Sequence, residues 1–169
     1  MSSILHLWRT LEIRPELPQI QGISLRTFRG PEDIDLWLEL RHRSFAREKL
    51  GVRKWDRTDF ESEFLAKSWW SPERLWFAET SPKLLAGIPT PVGSVALADR
   101  GAGATAQPVV HWLAVLSPWR RKGVGRLLMA ALETYCWDHG HRRIGLETHS
   151  AWQSAAQFYE ALGYRPEIS

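Results

Sequence analysis

The chain has 169 residues and a single cysteine, Cys136, so it can form no internal disulfide. A secreted scaffold stapled by bridges is thereby excluded, and a reducing, cytoplasmic setting is the expectation. Long apolar runs are missing too. Stretches such as Val109 to Leu116 fall far short of the roughly 20 residues that cross a bilayer, and this one contains His111. The N-terminus has no basic start, and Arg9 and Glu12 interrupt any signal-like core, so neither export nor membrane insertion is expected. Charge of one sign is scarce: 22 basic against 19 acidic residues make no polybasic footprint, and a nucleic-acid partner is not favoured. His139 and His141 lack further ligands at useful spacing, so no metal site is expected. Neither a nucleotide P-loop nor the Gly-x-Ser-x-Gly of a hydrolase elbow occurs.

What is present suits one folded domain, with 44% hydrophobic residues to fill a core and 24% charged residues to solvate a surface. Residues 1–22, carrying Pro15 and Pro18, read as an N-terminal arm, and 23–169 as a single domain. Ile23 to Phe28 alternates like a strand. A helix of about four turns should start near Pro31, with Ile34, Trp37, Leu38, Arg41 and Phe45 on one face. Residues Ala46 to Arg57, around Gly51, read as a mobile connection, and Asp56 to Trp70 as a second helix. Leu75 to Thr80 and Val92 to Ala98 form an expected hairpin around the Pro/Gly-rich turn Ser81 to Pro91. Val109 to Leu116 is a nearly all-apolar strand, expected to be covered on both faces. Val124, Leu127, Leu128, Ala131, Leu132 and Tyr135 mark the clearest helix, stopped at Gly140. Ile144 to His149 is a further strand, and Ala155, Phe158, Tyr159 and Leu162 mark a last helix closed by Gly163. The order implies a mixed α/β (α+β) fold in which a late strand is joined through a helical crossover.

The most informative segment runs from that apolar strand through Ser117 and Pro118 into Arg120, Arg121, Lys122, Gly123, Val124, Gly125 and Arg126, and straight into the clearest helix. Glycines let a ligand approach the backbone, and the first helical turn leaves N–H donors unpaired at the positive end of the dipole. That combination binds anions, a diphosphate among them. The four cations would neutralise further phosphate charge. The plainer reading is a basic helix start that only aids solubility.

These residues resemble the GNAT superfamily of acetyl-CoA-dependent N-acetyltransferases. Its pyrophosphate loop, Arg or Gln, two residues, Gly, one residue, Gly or Ala, is matched by Arg120, Gly123 and Gly125. Leu113, Ala114 and Val115 are similar to the family strand whose backbone pairs with pantetheine. Ala155 to Tyr164 looks like the second family signature, Ala-x-x-Phe-Tyr-x-x-x-Gly-Phe/Tyr, although Trp152 stands where the family usually has Asn. The resemblance implies a mainly antiparallel sheet flanked by helices, with a splayed parallel strand pair around acetyl-CoA. It also implies a cofactor site made by Leu113 to Val115 and Arg120 to Arg126. The chain stops soon after Gly163 and Tyr164, where the family usually adds strands; the arm or a second subunit of a homodimer would complete the sheet.

By the same resemblance, Tyr159 would stand beside the CoA sulfur as general acid, its phenol protonating the departing thiolate. Without the motif it reads as a core tyrosine. His111, a lone imidazole with an unperturbed pKa near neutrality, reads equally as the base that deprotonates the amine and as a core histidine. Glu147 and His149 are second choices. Trp37, Trp76 and Trp112 read as core or sheet packing. Trp55, Trp69 and Trp70, near Asp56, Asp59, Glu61 and Glu63, border the connection that in the family forms part of the acceptor pocket, but ordinary packing of the second helix is the preferred reading. The expected activity is acetyl transfer to a primary amine; the alternative is a GNAT-like module that binds CoA without catalysis.

Overall fold

The computed structural model describes residues 3–45, 53–81 and 87–167. Most of the connection after the first helix, residues 46–52, and residues 82–86 of the turn at Ser81 to Pro91 lie outside them. Strands β1 (Ile4–Thr10) and β2 (Ile23–Thr27) precede helices α1 (Glu32–Phe45) and α2 (Arg57–Phe60). Strands β3 (Leu75–Thr80), β4 (Pro91–Arg100) and β5 (Gln107–Val115) lead to helix α3 (Val124–Asp138). Strand β6 (Arg143–His149), helix α4 (Gln153–Ala161) and the short strand β7 (Arg165–Pro166) follow. The sheet order is β2-β3-β4-β5-β6-β1-β7. Among the described residues only β5 and β6 run parallel, joined by the α3 crossover.

The sheet is covered on both faces. In β3, Trp76 and Ala78 face the core under α3, while Leu75 and Phe77 face the core under α1 and α2, as the two-residue period requires. Leu127, Leu128, Met129 and Leu132 of α3 are buried on the first side, each contributing on the order of 2 kcal/mol. The second core is aromatic: Trp37, Phe60 and Phe64 meet at centroid distances of 4.8–5.3 Å. The expected helix from Asp56 to Trp70 is shorter than its periodicity suggested. Asp56 caps α2 in a reciprocal box with Asp59, after which the backbone widens into a π-turn over Glu61–Leu65. Trp69 and Trp70 then fold back onto Phe64, which ends the helix.

Within the segment read as an arm, residues 4–10 form a full strand. β1 lies antiparallel to β6 from Ile4↔His149 to Thr10↔Arg143, and β7 pairs on its other side. Gly145 makes room for this: a Cβ there would come within 2.6 Å of the Trp8 ring. Leu7 and Leu11 are buried in the core, an alternation too short to stand out in the sequence.

Two irregularities in β5 create the site. Parallel pairing to β6 covers only Val109↔Gly145 and Val110↔Leu146, after which the two strands diverge. On the other side Ser94 pairs with Ala114 and Ala96 with His111, so Val95 opposes both Trp112 and Leu113. This is a β-bulge, and Trp112 adopts a left-handed φ of 52° within it. The strand expected to be covered on both faces is therefore only half-buried from His111 to Leu113. None of the helices among the described residues is long and apolar enough to cross a membrane.

Candidate active site

The loop before α3 turns through two left-handed residues, Arg121 at φ 62° and Gly123 at φ 87°. Gly123 takes the N-cap position without a side-chain cap, so the first N–H groups of a fifteen-residue helix face outward from the end of the divergent strand. Gly125, one turn residue on, packs against Phe158 of α4, whose ring a Cβ would meet at 3.0 Å. The loop and α4, distant in sequence, are thus held in contact by a missing side chain.

Between them lies a cavity of about 560 Å³. Its walls include Leu113, Ala114 and Val115 of β5, Arg120, Arg121 and Gly123 of the loop, Gly125 and Arg126 of the first turn of α3, and Tyr159 of α4. The Val124 side chain is not in the lining, being buried against Gly93 beneath the helix start. Lys122 turns away, with its ammonium 5.2 Å from the Trp119 ring centre. The Arg120 guanidinium, although it lines the cavity, is committed to the protein: Nε donates to Val115 O at 3.0 Å and a terminal nitrogen to Ser44 O at 2.7 Å. It ties β5 to the end of α1, whereas Arg121 and Arg126 are exposed at the mouth.

A second cavity of about 320 Å³ opens where β5 and β6 part, lined by His111, Trp112, Glu147, Thr148 and Trp152 among others. Phe45, Leu113, Ala155 and Tyr159 line both cavities, so the two meet at the bulge. Tyr159 is buried in α4, and burial pushes its phenol pKa up, leaving the hydroxyl protonated at any physiological pH. His111 packs 5.6 Å from the Phe64 ring and 5.7 Å from that of Trp112. Burial, then the charges of Lys67 and Arg41, push its pKa down to about 4, far from the neutral value assumed for an unperturbed imidazole. Glu147 is held by Arg100 and lies 3.6 Å from His6, which faces it across β1. His149 Nδ1 accepts from the Ala151 N–H at 3.2 Å.

The aromatic residues divide differently from the sequence reading. Trp69 and Trp70 pack on the Phe60–Phe64 cluster, and Asp59 is bound to Arg53 at 2.7 Å. Trp112 and Trp152, joined by Phe45 at centroid distances of 5.7 and 6.1 Å, line the second cavity. Behind Trp112 the buried Arg41 guanidinium is sandwiched, 4.3 Å from Trp112 and 4.2 Å from Trp55. Burial and the nearby Arg53 charge push its pKa down to about 10, so it remains a cation. Phe45 was legible only as a helix-face residue, and Trp152 only as the position where the motif departs from its pattern.

A family model described as the acetyltransferase (GNAT) family matches residues 35–164. The chain belongs to the GNAT acetyltransferase family. A mycothiol acetyltransferase from Rhodococcus erythropolis is 30% identical over 169 residues, 95% of this chain and 53% of that protein. Another, from Thermobispora bispora, is 29% identical over 150 residues, 89% of this chain and 48% of that one. The chain thus spans about half the length of the curated relatives it matches. Among solved structures, a GCN5-related N-acetyltransferase from Sphaerobacter thermophilus superposes with a TM-score of 0.76 at 19% identity, covering 97% of this chain and 48% of that one. An aminoglycoside N-acetyltransferase in complex with CoA superposes with a TM-score of 0.63 at 17% identity, covering 91% of this chain and 95% of that one. Both superpositions show a shared fold, and in this chain the divergent parallel pair expected from the resemblance is formed by β5 and β6.

Proposed function

We propose that the chain forms one acetyltransferase domain that moves the acetyl group of acetyl-CoA directly to a primary amine. The observation that carries this reading is the meeting of two cavities along Phe45, Leu113, Ala155 and Tyr159, one walled by the basic glycine loop and the other by strand residues and aromatic rings. The residues present fit the donor. The N–H groups after Gly123 and the exposed Arg121 and Arg126 bind its diphosphate, and the opened edge of β5 at Leu113 to Val115 pairs with its extended arm. Backbone N–H groups released at the bulge polarise the thioester oxygen.

The amine nitrogen forms a bond to the acetyl carbon, the carbon–sulfur bond breaks, and the electron pair leaves on sulfur. Tyr159 O–H gives that sulfur its proton, burial keeping the phenol protonated until the thiolate forms beside it, and it is reprotonated from solvent as the amine proton leaves. The amine proton leaves to water at the open side of the second cavity. His111, pushed down to about 4, is too weak a base to take it from an alkylammonium, and we assign it to the cavity wall. The curated relatives are named for mycothiol; that acceptor belongs to a panel of candidate amines rather than to this chain by similarity.

Thermal unfolding with acetyl-CoA tests the reading. Ligand at about 100 times its Kd adds about 2.7 kcal/mol, which should raise Tm by roughly 5–10 °C. No shift from a folded sample refutes donor binding. A shift without thiol release from any amine favours the alternative of a CoA-binding module without catalysis.

A further inference from the structure

Granting the donor site proposed above, the wall of the second cavity specifies the kind of amine. We infer that the acceptor is a monoamine whose amino group is carried on a flat aromatic body, such as an arylalkylamine. Phe45 and Trp152 lie nearly parallel, 29° apart, at a centroid distance of 6.1 Å, too close to admit a third ring between them. Trp112 meets Phe45 edge to face at 71°. The three form one continuous aromatic surface beside the plane where the cavities meet, so a flat body resting on it directs its amine toward Leu113 and Tyr159. Aromatic pairs of this kind contribute beyond their buried area.

Charge argues the same way. Among the described residues, Glu147 is the only carboxylate lining this cavity, and Arg100, also in the lining, already holds it. The remaining ionisable groups, His111 and Tyr159, are both neutral at pH 7. Nothing in the lining compensates a second or third ammonium, so polyamines and aminoglycosides enter at a disadvantage. A volume of about 320 Å³ suits a single ring system with a short side chain and leaves little room for an oligosaccharide. Arg41, buried behind Trp112, stiffens the wall from the far side by its stack of cation between two indoles.

The test is a rate comparison by thiol release at saturating acetyl-CoA, with 2-phenylethylamine, tyramine, spermidine and glucosamine as acceptors. The expected result is a kcat/KM for the two aryl amines at least tenfold above that for spermidine and glucosamine. Trp152→Ala should raise KM for 2-phenylethylamine at least fivefold with KM for acetyl-CoA unchanged, and Trp152→Phe should restore most of it. Preference for spermidine or glucosamine, or an unchanged KM in Trp152→Ala, overturns the inference. So does the absence of aryl amine turnover in a chain that acetyl-CoA still stabilises, an outcome that leaves donor binding standing. Loss of that stabilisation instead removes both readings.

Discussion

The protonation of His111 gives the most demanding quantitative test. In the folded chain its pKa is pushed down to about 4, chiefly by burial against Phe64 and Trp112, whereas an unfolded histidine titrates near 6.5. Between those values the unfolded chain binds a proton that the folded chain refuses, so stability must fall as pH falls from about 6.5 toward 4. At 1.36 kcal/mol per unit, this residue alone should remove about 2 kcal/mol between pH 7 and pH 5. The assay is urea unfolding of the wild type and of His111→Gln at half-unit steps across that range. Glutamine keeps a polar, similarly sized side chain without a titrating proton, and subtraction cancels every other group. The wild type should lose about 2 kcal/mol relative to the variant on acidification. A difference that stays flat shows an imidazole solvated in the folded state, and one of opposite sign shows that the folded state prefers the cation; either result refutes the burial argument and restores His111 as a possible base.

Tyr159→Phe should lower kcat by about a hundredfold or more while changing acetyl-CoA affinity by no more than about twofold; calorimetric binding beside steady-state rates checks the split. Arg120→Met should cost about 2 kcal/mol in unfolding free energy, because two backbone carbonyls lose a charged donor, whereas Arg126→Ala should leave Tm nearly unchanged and weaken acetyl-CoA binding in a salt-dependent way. Burial pushes the Cys136 thiol up to about 12, so native protein should not react with a disulfide reagent at pH 8 until it is denatured. The same inertness keeps thiol-release assays free of background from the protein.

Much of the wall of the first cavity was legible because its determinants are local. Gly123 must adopt a left-handed φ, Gly125 must lack a side chain, and the helix start must follow the strand directly, so three constraints fall within a few residues of sequence. What each arginine does was not legible. Arg120 and Arg126 look alike in sequence, yet the first is drawn to Ser44 O by the end of α1, a contact across 76 positions. Which aromatic residues line the second cavity was not legible for a related reason. A tryptophan near an expected loop and one in an expected strand differ only in what tertiary packing brings to them; the bulge turned Trp112 outward, and the turn after β6 brought Trp152 to Phe45. The histidine was visible, but its basicity depends on burial against Phe64 and on the charges of Lys67 and Arg41, all more than forty positions away, as well as on burial against the neighbouring Trp112.

The position of β1 also bears on how the molecule assembles. β1, which precedes β2 to β6 along the chain, pairs with β6, and the Ser3 N–H reaches Ser150 Oγ across 147 positions, beside the turn that presents Trp152. The order of synthesis thus runs against the order of assembly. A nascent chain can complete β2 to β5 and α3 early, but β6 has an open edge until the opening strand returns to it, and β7 has nowhere to dock before then. Closing a loop of that length is entropically slow. The final rate-limiting event in folding should be this closure, and the aromatic wall should take shape only in the same step that seals the sheet.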